Sequence, residues 1–412
     1  MNTAAPGAFG TRNGLAYGLL GLPLAFVALP LYVILPNHYA REFGVPLATL
    51  GAVLLGARLF DALIDPLLGR LSDRLFARSA RAVLGLGAVA ALVLALGFAL
   101  LFFPLVSAPS ALVVWASLML MLTYAGYSAL SVSHQSWGAM LGGDERQRSH
   151  IVAWREGLGL VGVVLASITP VVFGLPASTA LFFVALTAGW LAWARADRPV
   201  PRQTNAGPHV ATSIWLPFRQ PGFRRLLAVF LLNGTASAVP ATLVLFFIQD
   251  RLQAPASQEP LFLGSYFVSA ALSIPLWLAL VKRVGLAPTW LLGMFLAIAT
   301  FGWATQIAAG DTAGFVIVCA LSGIALGTDL ALPGALLAGV IQANGQSGRA
   351  EGAYFGWWNF AIKLNLALAA GLALPLLALF GYAPGARDAQ ALNALLVAYC
   401  VLPCLLKLAA AA

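Results

Sequence analysis

Charge is what this sequence has least of. Only 9% of its 412 residues are Asp, Glu, Lys or Arg, where a soluble globular protein carries about 25%. Hydrophobic residues make up 61% of it. A fold surrounded by water on all sides is thereby excluded, because there is too little polar surface to cover so much apolar mass. Cysteine is scarce too. Cys319, Cys400 and Cys404 all lie in apolar runs, which excludes a disulfide framework. Cys400 and Cys404 share a helix face, but two thiols without further ligands make a poor metal site, so all three read as core filler. No cleavable leader is expected either. Arg12 is followed by an apolar stretch over 14–36, longer than the roughly 7–15 residues of a signal-peptide core and without a clean small-residue cleavage site, so it reads as a first membrane span. The net charge of +9 invites a nucleic-acid partner. The bases form no patch interleaved with aromatics, however; they punctuate the gaps between apolar runs, and no nucleic acid is expected.

What is there is a series of apolar runs long enough for a bilayer, which needs about 20 residues per helix. Twelve such runs are expected, over 14–36, 46–69, 82–104, 109–136, 151–174, 176–195, 224–247, 260–281, 286–308, 313–338, 352–380 and 390–409. The longest gap, from Arg195 to Gly222, is basic and carries Pro199, Pro201 and Pro208. The sequence therefore divides into a six-helix half over 1–195, a cytoplasmic linker over 196–222 and a second six-helix half over 223–412. With both termini in the cytoplasm, seventeen of the 23 basic residues, Lys407 among them, fall on the cytoplasmic side, and only Arg41, Arg251 and Arg387 fall outside. This asymmetry fixes the orientation. The expected fold class is an all-α integral membrane protein, two pseudo-symmetric halves of six transmembrane helices each, which is the plan of major facilitator transporters. In such folds the substrate site lies near the bilayer midplane. The expected setting is the plasma (inner) membrane, with the lipid bilayer as partner and the chain acting as a monomer.

The stretch GARLFDALIDPLLGRLSDR, residues 56–74, breaks the apolar pattern. Arg58, Asp61 and Asp65 are three and four residues apart, so on a helix they form one stripe. A charge at the centre of a membrane helix costs roughly 2.5–3.5 kcal/mol, and three of them approach 10 kcal/mol before pairing. Such a stripe must face protein or water. A fixed Arg58–Asp61 pair is the structural alternative, but it leaves one carboxylate over. Two neighbouring carboxylates repel, and one of them takes up a proton or a cation readily. Pro66, next in sequence to Asp65, loosens the local hydrogen-bond ladder.

Other polar groups interrupt the spans. Lys363 lies in the middle of an apolar run with Asn359 one turn before it. It is too central to reach the interface easily, and its natural partners are Asp61, Asp65 or Asp329 of the tenth span. In the fourth span Tyr124, Tyr127, Ser128, Ser131 and Gln135 share a face, with His134 beside it. They either line a cavity or bond back to their own helix carbonyls. His134 itself reads more simply as a satisfied interior histidine. Asn233 and Ser237 share a face of the seventh span. Arg155 and Glu156, near the cytoplasmic end of the fifth, either border the substrate cavity or form a local pair.

RLFDALIDPLLGRLSDR resembles the second-span signature of the glycoside–pentoside–hexuronide:cation symporters, the melibiose permease group of the major facilitator superfamily. GDERQRSHIVAWR resembles that family's Asp-x-Arg-x-Arg loop, GRAEGAYFGWWNFAIKLNLALAAG its eleventh-span signature, and ALFGY follows as in the family. The resemblance covers most of the chain. It implies that Asp61 and Asp65 are the cation-binding aspartates, that Ser128 is the fourth-span hydroxyl near the cation and that Lys363 is the eleventh-span lysine. The chain also departs from the pattern. Ala25 and Ser131 stand where the family has its sugar-clamping aspartates, Ile64 replaces an asparagine between the cation aspartates, and Gly339 replaces a late acidic residue of the tenth span. Without those acids a simple sugar loses its grip. Without the neutral ligand at Ile64, sodium has fewer oxygens, which tilts the coupling ion from sodium toward a proton.

The expectation is a secondary active transporter for a small molecule, with no enzymatic activity and no cofactor beyond the coupling ion, H+ or Na+, and no metal beyond sodium at Asp61 and Asp65. Coupling falls to Asp61, Asp65, Ser128 and Lys363. The substrate cavity falls to Arg58, Tyr124, Tyr127, Ser131, Gln135, Arg155, Asn233, Asp329 and Asn359. GRLSDR at the end of the second span also resembles the superfamily's loop motif, in which Asp73 pairs with a basic residue or caps a helix N-terminus in one state only; the plainer alternative is that Asp73 and Arg74 form a solvated loop pair. Two other classes share parts of this pattern. A lipid scramblase or non-transporting sensor would use the same fold. A prenyltransferase-type enzyme needs a second aspartate cluster, and the sequence has only one.

Overall fold

The computed structural model describes residues 9–45, 47–199, 213–382 and 385–412. About half of the predicted 196–222 linker, with Pro201, Arg202 and Pro208, lies outside them, as does the side chain of Arg41. Among the described residues the structure is helical, and ten helices are long and apolar enough to cross a membrane. The Leu47–Arg78 and Glu351–Leu379 helices, which carry the second and eleventh predicted spans, are 32 and 29 residues long.

Local sequence explains the breaks. Pro109 starts the Pro109–Met140 helix after an extended Ala108, where a proline's missing N–H costs nothing. The Asp144 carboxylate accepts the Gln147 N–H at 2.8 Å and caps the next helix. The fifth and sixth spans turn at Gly174, whose φ of 79° few other residues adopt. The tenth predicted span is not one rod. It breaks at Leu332 into Thr312–Ala331 and Pro333–Ala343, since Pro333 cannot continue the ladder.

The chain divides into two compact units, Met1–Gln220 with Ala338–Phe360, and Pro221–Leu337 with Ala361–Ala412. The first is built around Phe26, Phe98 and Phe182, with ring centroids 4.7–5.8 Å apart. In it the Leu47–Arg78 helix packs on Pro109–Met140. Lipid tails are as apolar as these side chains, so contact and close fit hold the helices together rather than burial as such. The second unit is built around Phe247, Phe262, Phe315 and Tyr399.

Candidate functional site

The Leu47–Arg78 helix has two faces. Leu59, Leu63 and Leu67 are 58–68% exposed, as suits a lipid-facing side, whereas Asp61 and Asp65 are 3% and 0% exposed. The acids therefore lie inside the first unit. Ser128 Oγ donates to Asp61 Oδ1 at 2.7 Å. The hydroxyl comes from the Pro109–Met140 helix, so the bond joins the predicted second and fourth spans. Arg58, predicted on the same stripe, is exposed.

Along the fourth span some hydroxyls do bond back to their own helix. Ser117 and Thr123 donate to Val113 and Met119 carbonyls. Ser128 and Ser131 take other partners. Gln135 Nε2 donates to Ser131 Oγ at 2.8 Å and to Asn359 Oδ1 at 3.0 Å. These three are buried, and the Asn359 Nδ2 donor has no partner among the described residues. A buried amide donor left open costs about 1–3 kcal/mol, and a substrate oxygen can satisfy it. Tyr124 is buried beside this row and Tyr127 half-buried. His134 is a structural residue. It stacks on Tyr17 with centroids 4.3 Å apart, its Nε2 lies 2.8 Å from the Tyr17 carbonyl, and Tyr17 OH donates back to the His134 carbonyl. Arg155 is engaged locally, donating through Nε and Nη2 to Glu156.

Beyond the predicted 46–69 span, Asp73 caps a helix within the same unit. Its Oδ1 accepts the Gly352 N–H at 2.6 Å and its Oδ2 the Ala353 N–H at 2.8 Å. The approach needs two facing glycines, because a Cβ at Gly69 or Gly352 would collide with the other's carbonyl. Burial pushes the Asp73 carboxyl well above the usual carboxylate range, the nearby Glu351 carboxylate adds to it, and the two N–H groups work against both.

Asp329, Asn233 and Lys407 lie in the second unit. Lys407, counted in the sequence among the bases of the cytoplasmic side, is buried. It is 3% exposed and donates to Asn233 Oδ1 at 2.7 Å, Ser237 Oγ at 3.0 Å and Asp329 Oδ2 at 3.4 Å. Asp329 also accepts from Asn233 and Trp290 at 2.8 Å each and from Ser237 at 3.0 Å. The cation beside Asp329 is thus Lys407 of the last helix, where Lys363 was one of the expected partners. Lys363 is half-buried in the same unit. Lys407 and Trp290 were missed because a lone lysine near the end of a span looks like a flanking charge. The available signal was position: Lys407 follows Cys400 and Cys404 along the buried side of its span. Among the described residues no group of three or more His, Cys, Asp or Glu is placed to hold a metal ion.

A family model described as MFS/sugar transport protein matches residues 14–412. No curated protein matches the sequence. Solved structures share the fold. A bacterial homologue of the iron transporter ferroportin, in an outward-facing state, is 18% identical, with TM-score 0.69 over 97% of this chain and 98% of that one. A variant of the E. coli fucose:proton symporter FucP is 13% identical, with TM-score 0.71 over 98% of this chain and 99% of that one.

Proposed function

The chain belongs to the MFS/sugar transport protein family, and on that premise we propose that it is a cation-coupled symporter of the melibiose permease-like group, with Asp61 and Asp65 as the coupling site. It is a multi-pass membrane transporter of small molecules rather than an enzyme. The observation that carries the finer reading is the contact between Asp61 and Ser128, 2.7 Å long and buried inside one helical half, with Asp65 one turn away and fully buried. Two carboxylates held this close in a medium of low dielectric favour any state in which a cation is present.

The mechanism follows from that charge balance. A cation entering at Asp61 and Asp65 lowers the cost of the buried charge, and Ser128 Oγ supplies a neutral oxygen beside it. The neutralised unit then admits the substrate, for which Gln135, Ser131 and the open Asn359 amide offer polar contacts. Asp73, clamped on the N-terminus of the Glu351–Leu379 helix, acts as a latch that holds one state and opens in another. Proton coupling is favoured over sodium. A proton needs one carboxylate oxygen, sodium needs several ligands, and Ile64 supplies none. The chain works in the inner membrane with both termini cytoplasmic. Uptake into proteoliposomes under imposed gradients tests the ion. Accumulation should stop when the proton gradient is collapsed and should not need sodium; uptake driven by sodium alone would reverse the assignment.

A further inference from the structure

The second unit contains a cavity of about 160 Å³ whose polar end is the pair of half-buried Asp329 and buried Lys407, with Ser237. Its body is apolar and aromatic, walled by Phe262, Tyr266, Phe267, Phe301 and Tyr399. A dry cavity of about 150 Å³ holds a molecule the size of benzene, so this one accommodates a single ring or a compact branched chain. Every residue lining it belongs to the second unit, whereas Asp61 and Asp65 belong to the first.

The charges select the head group. Lys407 is more deeply buried than Asp329, their side chains being 4% and 17% exposed. A buried ammonium beside the cavity repels a ligand amine. It offers an anion a donor, because its contact with Asp329 is the longest of its three, 3.4 Å against 2.7 and 3.0 Å. Asp329 can give up that contact, since Asn233, Trp290 and Ser237 still donate to it. An anion entering alone would leave a net negative charge in oil. A proton taken by Asp329 restores neutrality, leaving one ammonium and one ligand carboxylate. The other titratable groups facing the cavity are Tyr266 from Glu259–Val284, Cys319 from Thr312–Ala331 and Tyr399 from Val397–Val401, with Cys404 beside Lys407 on its helix; the charged groups of these elements, Arg224, Arg225, Glu259, Lys282 and Arg283, sit at helix ends and do not line it. The tyrosines and thiols are neutral at the working pH. The Pro221–Phe246 and Leu286–Ala304 helices contribute the neutral Asn233, Ser237 and Trp290.

We propose that this cavity binds a small monocarboxylate with a compact apolar body, its carboxylate on Lys407 Nζ, and that one proton is taken up by Asp329 as it binds. The step moves one proton from solvent to Asp329 and exchanges one ion pair for another. It rests on the second unit alone and names a ligand class that the coupling reading leaves open. The test is equilibrium binding of radiolabelled benzoate to the purified full-length protein in detergent, across mildly acidic to alkaline pH, with benzylamine and benzyl alcohol as competitors. Benzoate should bind, weakening by about tenfold per pH unit on the alkaline side, and the two competitors should be at least about tenfold weaker. Asp329→Asn should keep benzoate binding and flatten its pH dependence. Adding Lys407→Gln to Asp329→Asn, which leaves no unpaired charge to unfold the chain, should remove it. Benzylamine competing as well as benzoate, pH dependence persisting in Asp329→Asn, or no benzoate binding to monodisperse protein would each overturn the proposal. No gradient enters this assay, so its failure and the failure of ion-coupled uptake are separable.

Discussion

Replacing Lys407 by methionine is the sharpest probe of how the second unit is held together. The substitution keeps the apolar stem and removes the ammonium, leaving Asp329 as a half-buried carboxylate without a counter-charge. Breaking a buried pair in this way costs about 3–5 kcal/mol. Asp329 retains three neutral donors, from Asn233, Trp290 and Ser237, each worth about 1.5–3 kcal/mol to a charged acceptor, so the loss should fall at the low end, about 3 kcal/mol. Asn233 also loses a donor to its oxygen. The double variant Lys407→Met with Asp329→Asn removes both charges and should recover most of that loss, giving a coupling energy of about 2 kcal/mol or more. The assay is reversible unfolding in mixed micelles by titration with a denaturing detergent, read for the wild type, both single variants and the double. A Lys407→Met protein as stable as wild type, or a double variant no better than the single, would refute the argument that these charges compensate one another.

Asp73→Ala removes the acceptor for two backbone N–H groups at the start of Glu351–Leu379 and should cost about 0.5–2 kcal/mol, seen as a lower melting temperature in detergent. The sign of its pH dependence also follows. Folding raises the carboxyl of Asp73, so its contribution is complete below the ordinary aspartate range and is lost as pH rises through the raised value; Asp73→Asn should flatten that part of the stability–pH curve. Lys363→Ala should weaken ion coupling while leaving the protein monodisperse, and a variant with unchanged uptake at every pH would confine Lys363 to packing.

The arrangement of helices was legible because lipid enforces it: a run of about 20 apolar residues has few other places to go. The inward turn of Asp61 and Asp65 was legible for the same reason, since exposing them beside Leu59 and Leu63 would put bare charge in hydrocarbon. Arg58 shares the stripe of Asp61 and Asp65 but is exposed, which spacing alone does not reveal. The Asp61–Ser128 contact needed tertiary structure, although the family resemblance pointed at the hydroxyl. Lys407 was not legible. Sequence position made it a flanking charge, and only the packing of the last helix against Pro221–Phe246 and Leu286–Ala304 shows that it reaches Asp329. The break at Leu332 was foreshadowed by Pro333 within the tenth apolar run, but apolarity alone does not separate one long helix from two.

Gradient-driven substrate accumulation by the Asp65→Asn protein in sealed proteoliposomes tests the central claim most directly. The asparagine keeps the size of the side chain and removes its charge, so the protein should remain folded and lose uphill accumulation. Accumulation equal to wild type at the same gradient would take Asp65 out of coupling.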